Sequence, residues 1–337
     1  LLVPRRRVAG VRVFYGHDLI PEPGEPVAGG TAKFQKLGQR FPNHPPDFNL
    51  LYLGSTWLPR DLRPLLWIAR RRGAAVVVNQ SGVAYPGWAG DETERINRQF
   101  RTALLAADHV LYQSEFCKSS ADEWLGSPRG ASEILYNAVD VDRFTPAPRP
   151  AGDVPVLLLA GDQTQAYRLE SALRTLALVP DGRLIVSGRL VSSPWPLIRE
   201  LNLEGRVELV GRYAQRAAPD LYRRADVLLH TKVKDPCPTA VIEAMACGLP
   251  VVYAASGGTV ELVGDEAGIA VEHPDGWDRD VPPAPHAFAA AVTQLLGSRE
   301  SYAAAARRRA VERFALKPWL DRHAELFSEL VDRSGTS

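Results

Sequence analysis

Short, almost continuous apolar runs recur along this chain, spaced so that one helix fits between each pair. Val11–Tyr15, Asn49–Leu53, Ala74–Val78 and His109–Tyr112 make one series. Val154–Leu159, Leu184–Val186, Val207–Val210, Val227–His230, Val251–Tyr253 and Ile269–Val271 make a second. Runs of this length, bounded by turn residues, read as buried strands. Between them the spacing predicts amphipathic helices, among them Leu62–Arg71, Glu92–Ala107, Tyr167–Leu178, Leu197–Leu203, Ala218–Arg224 and Ala240–Cys247. Strands apolar on both faces and separated by helices form parallel sheets covered on both sides. The Pro-rich stretch 145–152 separates the two series. The expected fold is therefore two doubly wound α/β domains, 1–148 and 149–316, with a last helix in 317–337. A chain of 337 residues is long enough for both. Ligands of open α/β sheets bind beyond the carboxyl ends of the strands, so a cleft faced by both sheets is the expected site.

Composition removes several classes. A net charge of +1 gives no global field for nucleic acid or an acidic polymer. Cys117, Cys237 and Cys247 are too few and too scattered for a disulfide framework or a zinc site, and a reducing, cytoplasmic setting is expected. No apolar run approaches the roughly 20 residues that span a bilayer. The basic start, Leu1 to Arg7, lacks the apolar core of a signal peptide. Arg5–Arg7 and Arg70–Arg72 are the places where weak peripheral contact with the inner face of a membrane would occur, but solvated surface charge is the plainer reading. The run Ala303–Ala306 followed by Arg307–Arg309 reads as an ordinary exposed helix.

Chemistry concentrates in Asp235-Pro-Cys-Pro-Thr-Ala-Val-Ile-Glu243-Ala-Met-Ala-Cys-Gly-Leu-Pro-Val-Val252 and the following Ser256-Gly-Gly-Thr-Val-Glu-Leu-Val263. Pro236 and Pro238 disfavour helical backbone at the residues before them, which leaves Asp235 in a loop. Thr239 is placed to cap the next helix, with Glu243 near its start. A carboxylate there can accept two hydrogen bonds from vicinal hydroxyls. The structural alternative makes Asp235 an N-cap and Glu243 a first-turn acid favoured by the helix dipole. Gly257 and Gly258 would let backbone approach a diphosphate closely. Gly29-Gly30-Thr31-Ala32-Lys33, after the first strand, opens a helix in the same way.

This pattern resembles the donor site of retaining glycosyltransferases with the GT-B fold, family 4 (glycosyl transferases group 1). Their signature is an acid, seven other residues, then Glu-Ala-Met-Ala-x-Gly-x-Pro-Val-Val. The resemblance is strong over 207–271 and extends through Tyr112–Lys118 and Ile134–Pro146. It implies two Rossmann-like domains, an acceptor domain first and a nucleotide-sugar donor domain second, with the last helix crossing back to the first. Carried over residue by residue, Glu243 binds ribose and Asp235 the transferred sugar. The helix start Pro238, Thr239 and Ala240, with Gly257, Gly258 and Lys232, holds the donor. Gly188, Arg189 and Tyr213 stand at the strand ends where the base is read. Gly29, Gly30 and Lys33 form the loop closing on diphosphate and acceptor. Asp235 stands where Glu is usual, Ala138 replaces a glycine, and the Lys-Gly pair usual after the second domain's first strand is missing. Arg168 is its nearest replacement.

The usual first-domain histidine is also missing. Asn79, Gln80 and Tyr85, with Trp88 nearby, form a polar and aromatic group suited to an acceptor sugar, or a packed rigid loop. His17 is a lone candidate base. The resemblance implies a metal-independent transferase with no cofactor, using a nucleotide sugar and a carbohydrate, lipid-linked or small-molecule acceptor. Two rivals remain: a nucleotide-sugar epimerase or phosphorylase on the same fold, and a non-catalytic partner subunit that keeps the fold.

Overall fold

The computed structural model describes residues 10–22, 24–25, 30–148 and 154–335. Gly29 and Arg5–Arg7 lie outside the described residues. The chain divides into two compact units. One contains the described residues up to Asn137, with Trp277–Arg279 and the chain from Lys317 onward. The other contains Ala138–Gly276 and Asp280–Leu316. The passage between them falls at Ala138, ahead of the Pro-rich stretch, and Ala138 needs no left-handed backbone there.

In the first unit, β1 (Val13–Phe14), β2 (Leu50–Gly54), β3 (Ala75–Gln80), β4 (His109–Tyr112) and β5 (Ala131–Ile134) form one parallel sheet in chain order. Helices α1 (Ala32–Arg40), α2 (Leu62–Arg72), α3 (Pro86–Ala89), α4 (Thr93–Ala106) and α5 (Glu115–Trp124) connect them. Strand periodicity sorts the faces. Phe14, Leu51, Leu53, Val76 and Val78 pack with Leu62 and Leu66 of α2, Ala103 and Leu104 of α4, and Cys117 and Ala121 of α5. The alternate residues Tyr15 and Tyr52 point the other way, edge-on to Phe34 of α1.

In the second unit, β6 (Val156–Leu159), β7 (Arg183–Ser187), β8 (Val207–Gly211), β9 (Val227–His230), β10 (Val251–Ala254) and β11 (Gly268–Val271) form a parallel sheet in the order β11-β10-β9-β6-β7-β8. The order reverses between β9 and β6, the place where doubly wound sheets bind ligands. Its helices are α6 (Ala166–Ala177), α7 (Trp195–Glu200), α8 (Ala218–Arg223), α9 (Thr239–Ala246), α10 (Thr259–Val263), α11 (Pro285–Leu296) and α12 (Arg299–Phe314). Leu169, Leu173 and Leu176 of α6 and Phe288 and Val292 of α11 bury one face of the sheet, while α9 packs on β9 and β10 from the other.

Helix α12 is not an ordinary exposed helix. Ala305, Ala306, Ala310 and Phe314 are buried, and the helix lies along α9. The last helix, α13 (Leu316–Gly335), belongs to the first unit from Lys317 onward. Its Phe327 meets Phe41 and Tyr52 edge-on, on the Tyr52 face of the first sheet.

Candidate functional site

All six strands of the second sheet are parallel, so their carboxyl ends, and the loops carrying the candidate residues, share one edge. The loops after β9 and β10 are fastened to each other there. Lys234 takes a left-handed backbone, φ 49°, and its N–H is donated to Ser256 Oγ at 2.9 Å. Gly258 N–H is donated to the Asp235 carbonyl at 2.9 Å. Gly257 sits at φ 66°, where an added Cβ would lie 2.6 Å from that same carbonyl, so both conformation and contact demand glycine. The Gly258 N–H, expected at a diphosphate, is thus already bonded within the loop pair.

Helix α9 begins at Thr239. Its N-cap is Pro238, in extended backbone, and no side chain caps it. Thr239 and Asp235 are therefore not the capping residues. Proline serves at this position because its fixed φ suits the chain entering a helix and its missing N–H leaves nothing unpaired. The N–H groups of Thr239 and Ala240 find no acceptor among the described residues. They are the free donors of a helix start.

Asp235 lies among positive and polar groups. Lys232 Nζ is 3.2 Å from its Oδ1. His230 Nε2 is 3.3 Å from its Oδ2, a close contact that falls outside hydrogen-bond geometry. Burial pushes the Asp235 carboxyl upward, but the positive charges of Lys232 and Arg168 outweigh it and hold the group well below the usual carboxylate range. Burial also lowers His230, so the imidazole is held neutral. Arg168 comes from the first turn of α6 and is 5% exposed. Its guanidinium donates to the carbonyls of Asp162 (2.7 Å) and Ala160 (3.4 Å), and Thr231 Oγ1 donates to the Arg168 carbonyl at 2.9 Å. The charge acts on Asp235 from behind. Touching a phosphate would require the side chain to leave these carbonyls.

Glu243 is 4% exposed, and its carboxylate is held on both oxygens. Gln215 Nε2 donates to Oε1 at 2.5 Å and the Tyr222 hydroxyl donates to Oε2 at 2.9 Å. Tyr213 stands beside this group. Burial, with the Glu243 charge adding to it, pushes its phenol up to about 12. Its ring is half-buried. Nothing local in the sequence marks Tyr222 or Gln215, because both reach Glu243 from the segment after β8.

A third group closes the ends of β6, β7 and β8. Asp162 accepts the Arg189 N–H at 2.8 Å and Arg212 Nη2 at 2.7 Å. Gly188, at φ 92°, has its N–H on the Gly211 carbonyl at 2.7 Å, and a Cβ there would lie 2.3 Å from the Gly161 carbonyl. The Arg189 side chain is exposed. Asp162 too carries no signal in the sequence, since the Lys-Gly pair usual in its segment is missing.

In the first unit, two separate groups of candidates meet. Lys33, 3% exposed in α1, donates from Nζ to Asn79 Oδ1 at 2.6 Å. Gln113 Nε2 donates to the same oxygen at 2.6 Å, and Asn137 Nδ2 to Gln113 Oε1 at 3.1 Å. Gly30 lies just ahead, its carbonyl accepting from Thr56 Oγ1. Gln80 is fully buried, bonded to the carbonyls of Ser81 and Gly82. Tyr85 is buried too, its ring 5.1 Å from that of Trp277. Asn79, Gln80 and Tyr85 are therefore interior residues here; only Trp88 of that group is open. His17 stacks on Trp57 at 3.8 Å with its Nε2 3.0 Å from the Trp57 carbonyl. Among the described residues, no three His, Cys, Asp or Glu gather as a metal site.

Residues 144–311 match the family model described as glycosyl transferases group 1. The chain is 26% identical over 239 residues to D-inositol 3-phosphate glycosyltransferase of Mycolicibacterium smegmatis, covering 66% of this chain and 54% of that protein. It thus spans about half the length of the curated relatives it matches. Sucrose-phosphate synthase of Thermosynechococcus elongatus shares the fold with a TM-score of 0.71 at 20% identity, over 89% of this chain and 77% of that one. The Anabaena HepE complex with UDP-glucose gives 0.65 at 18% identity, over 84% and 79%. The fold is that of GT-B glycosyltransferases.

Proposed function

Because residues 144–311 are a glycosyl transferases group 1 module, we propose that this chain transfers a sugar, with retention, from a nucleotide-diphosphate sugar to an acceptor hydroxyl. The observation that carries the reading is the pair of carboxylates on one sheet edge. Each is fixed by its own surroundings: Asp235 beside Lys232 and His230, Glu243 beneath Tyr222 and Gln215. Glu243 receives the ribose hydroxyls and Asp235 the hydroxyls of the transferred sugar. The free N–H groups of Thr239 and Ala240 receive the diphosphate, where the helix start favours negative charge. As the diphosphate leaves, these donors and Lys232 stabilise its growing charge without a metal. Attack comes from the face the diphosphate leaves, so no protein nucleophile is needed. The acceptor, a carbohydrate, a lipid-linked sugar or a small molecule, belongs to the first unit, and the setting is the cytoplasm. Among the described residues no helix is long and apolar enough to cross a membrane.

The test is thermal stabilisation by UDP, GDP, ADP and TDP and their sugars, repeated on Glu243→Ala. One nucleotide is expected to raise the melting temperature, and the shift is expected to vanish in the variant. The effective sugar is then assayed for hydrolysis and transfer. A shift without turnover on any acceptor would favour a non-catalytic partner subunit. The same shift retained in Glu243→Ala would remove the role given to that carboxylate.

A further inference from the structure

The first unit carries a patch of unneutralised arginine on its α2–α4 face. Arg63, Trp67 and Arg70 follow one another at helical spacing along α2, Arg60 stands in the turn just before it, and all are exposed. Arg98 of α4 and Arg129, before β5, complete the patch. Two grooves of about 340 and 330 Å³ run through it, both bordered by Arg63 and Thr102. Their remaining walls include Leu62, Leu66, Leu105 and Ala106, and one acid, Asp61.

None of these five guanidiniums has a carboxylate at ion-pair distance among the described residues. The contrast within the unit is plain: Arg12, Arg40, Arg95, Arg101 and Arg322 each hold an acid. Trp67 is 48% exposed, with Arg71 over its ring at 4.9 Å. By contrast, Arg72 is occupied by the Pro46 carbonyl and the Phe48 ring. The stripe is therefore not the run Arg70–Arg72 read from the sequence.

We propose that this face docks on an anionic phospholipid surface. Guanidinium forks match phosphate oxygens in pairs. An exposed indole set among arginines suits the boundary between headgroup and acyl chain, where an amphipathic ring is stable. The chain's net charge of +1 supplies no long-range pull. Attraction must act locally, within roughly one Debye length of about 8 Å, and a charged bilayer presents many phosphates at that range at once. A soluble polyanion would engage the arginines but gain little from Trp67. This inference does not depend on the donor-site reading.

The experiment is flotation of the full chain with phosphatidylcholine vesicles, with and without phosphatidylglycerol, across a salt series. The chain is expected to float only with phosphatidylglycerol and to be released by salt. Each arginine near the surface is worth about fivefold in partitioning. Arg63→Glu with Arg70→Glu is thus expected to weaken flotation by at least about 25-fold. Trp67→Ser should weaken it severalfold at every salt concentration. Arg174→Glu with Arg224→Glu, both in the second unit, should leave it unchanged. Melting curves confirm that each variant is folded. No flotation with phosphatidylglycerol, flotation indifferent to Arg63 and Arg70, or an equal loss in the second-unit pair would each overturn the proposal. So would arginine-dependent binding of heparin without binding of vesicles.

Discussion

The ribose role proposed for Glu243 needs a carboxylate that is oriented and kept from wandering, and two neighbours supply both. The Tyr222 hydroxyl donates to Oε2 and Gln215 to Oε1. Burial pushes the Tyr222 phenol well above its ordinary value, so it stays a donor at any working pH. Tyr222→Phe removes one charge-assisted hydrogen bond inside the protein, a loss of about 1.5–3 kcal/mol. If Tyr222 orients Glu243, the affinity for the stabilising nucleotide should fall by roughly tenfold, while nucleotide-free melting falls only by what one hydrogen bond explains. Unchanged affinity with lowered stability would reduce Tyr222 to a packing residue. The acid spacing was legible in the sequence, since eight positions and two prolines specify a loop and then a helix. The partners were not, because a tyrosine ahead of β9 has no local signature until the sheet brings α8 beside α9. Arg168 shows the opposite failure. Its position after β6 suggested a phosphate ligand, yet burial against the Ala160 and Asp162 carbonyls decides what the guanidinium touches.

The helices around the site are short, and short helices leave most of their terminal carbonyls without internal partners. Helix α12 supplies donors to two of them. Arg307 donates to the carbonyl of Ala246, the last residue of α9, and to those of Phe144 and Val141. Arg309 donates to the carbonyls of Glu261 and Leu262 in α10. A cation at a helix carboxyl end also opposes the dipole. Read as sequence, Ala303–Arg309 looked like solvated helix, because alanine and arginine carry no apolar stripe. Its buried face is alanine, chosen by the closeness of α9 rather than by hydropathy. β5 was missed for a related reason: Ala131–Ile134 is a half-exposed edge strand whose alternation is too weak to register. Arg307→Ala is expected to destabilise the second unit by about 2–3 kcal/mol in urea unfolding. Arg307→Lys should recover little of it, because one ammonium cannot reach three carbonyls in a fixed fork. Full recovery by lysine would show that charge, not the fork, matters.

Across the whole molecule, each unit buries a histidine that is held neutral, and this gives the chain a predictable weakness to acid. In the second unit it is His230, beside Asp235. In the first it is His323, reached only because the chain returns to that unit after Leu316. Its Nδ1 is 2.8 Å from the Trp319 carbonyl, to which it donates, leaving Nε2 as an acceptor 3.4 Å from the Tyr52 hydroxyl. Burial lowers its pKa from 6.5 to about 4. The unfolded chain takes up a proton near pH 6.5 and the folded unit resists until about pH 4, so unfolding binds protons across that window. The stabilisation is complete above pH 6.5 and is lost as pH falls, by about 3 kcal/mol at pH 4. Hydrogen exchange of β2 and β3 reports on the first unit and that of β9 and β10 on the second. His323→Gln should flatten the pH dependence of β2 and β3 between pH 6.5 and 4 while leaving that of β9 and β10 unchanged, because the substitution does not touch the second unit. If the slope at β2 and β3 survives the substitution, acid enters the first unit by another group. Glu133, held down to about 2 by His109 and Arg322, adds its own loss only as pH falls below its ordinary value of 4.5.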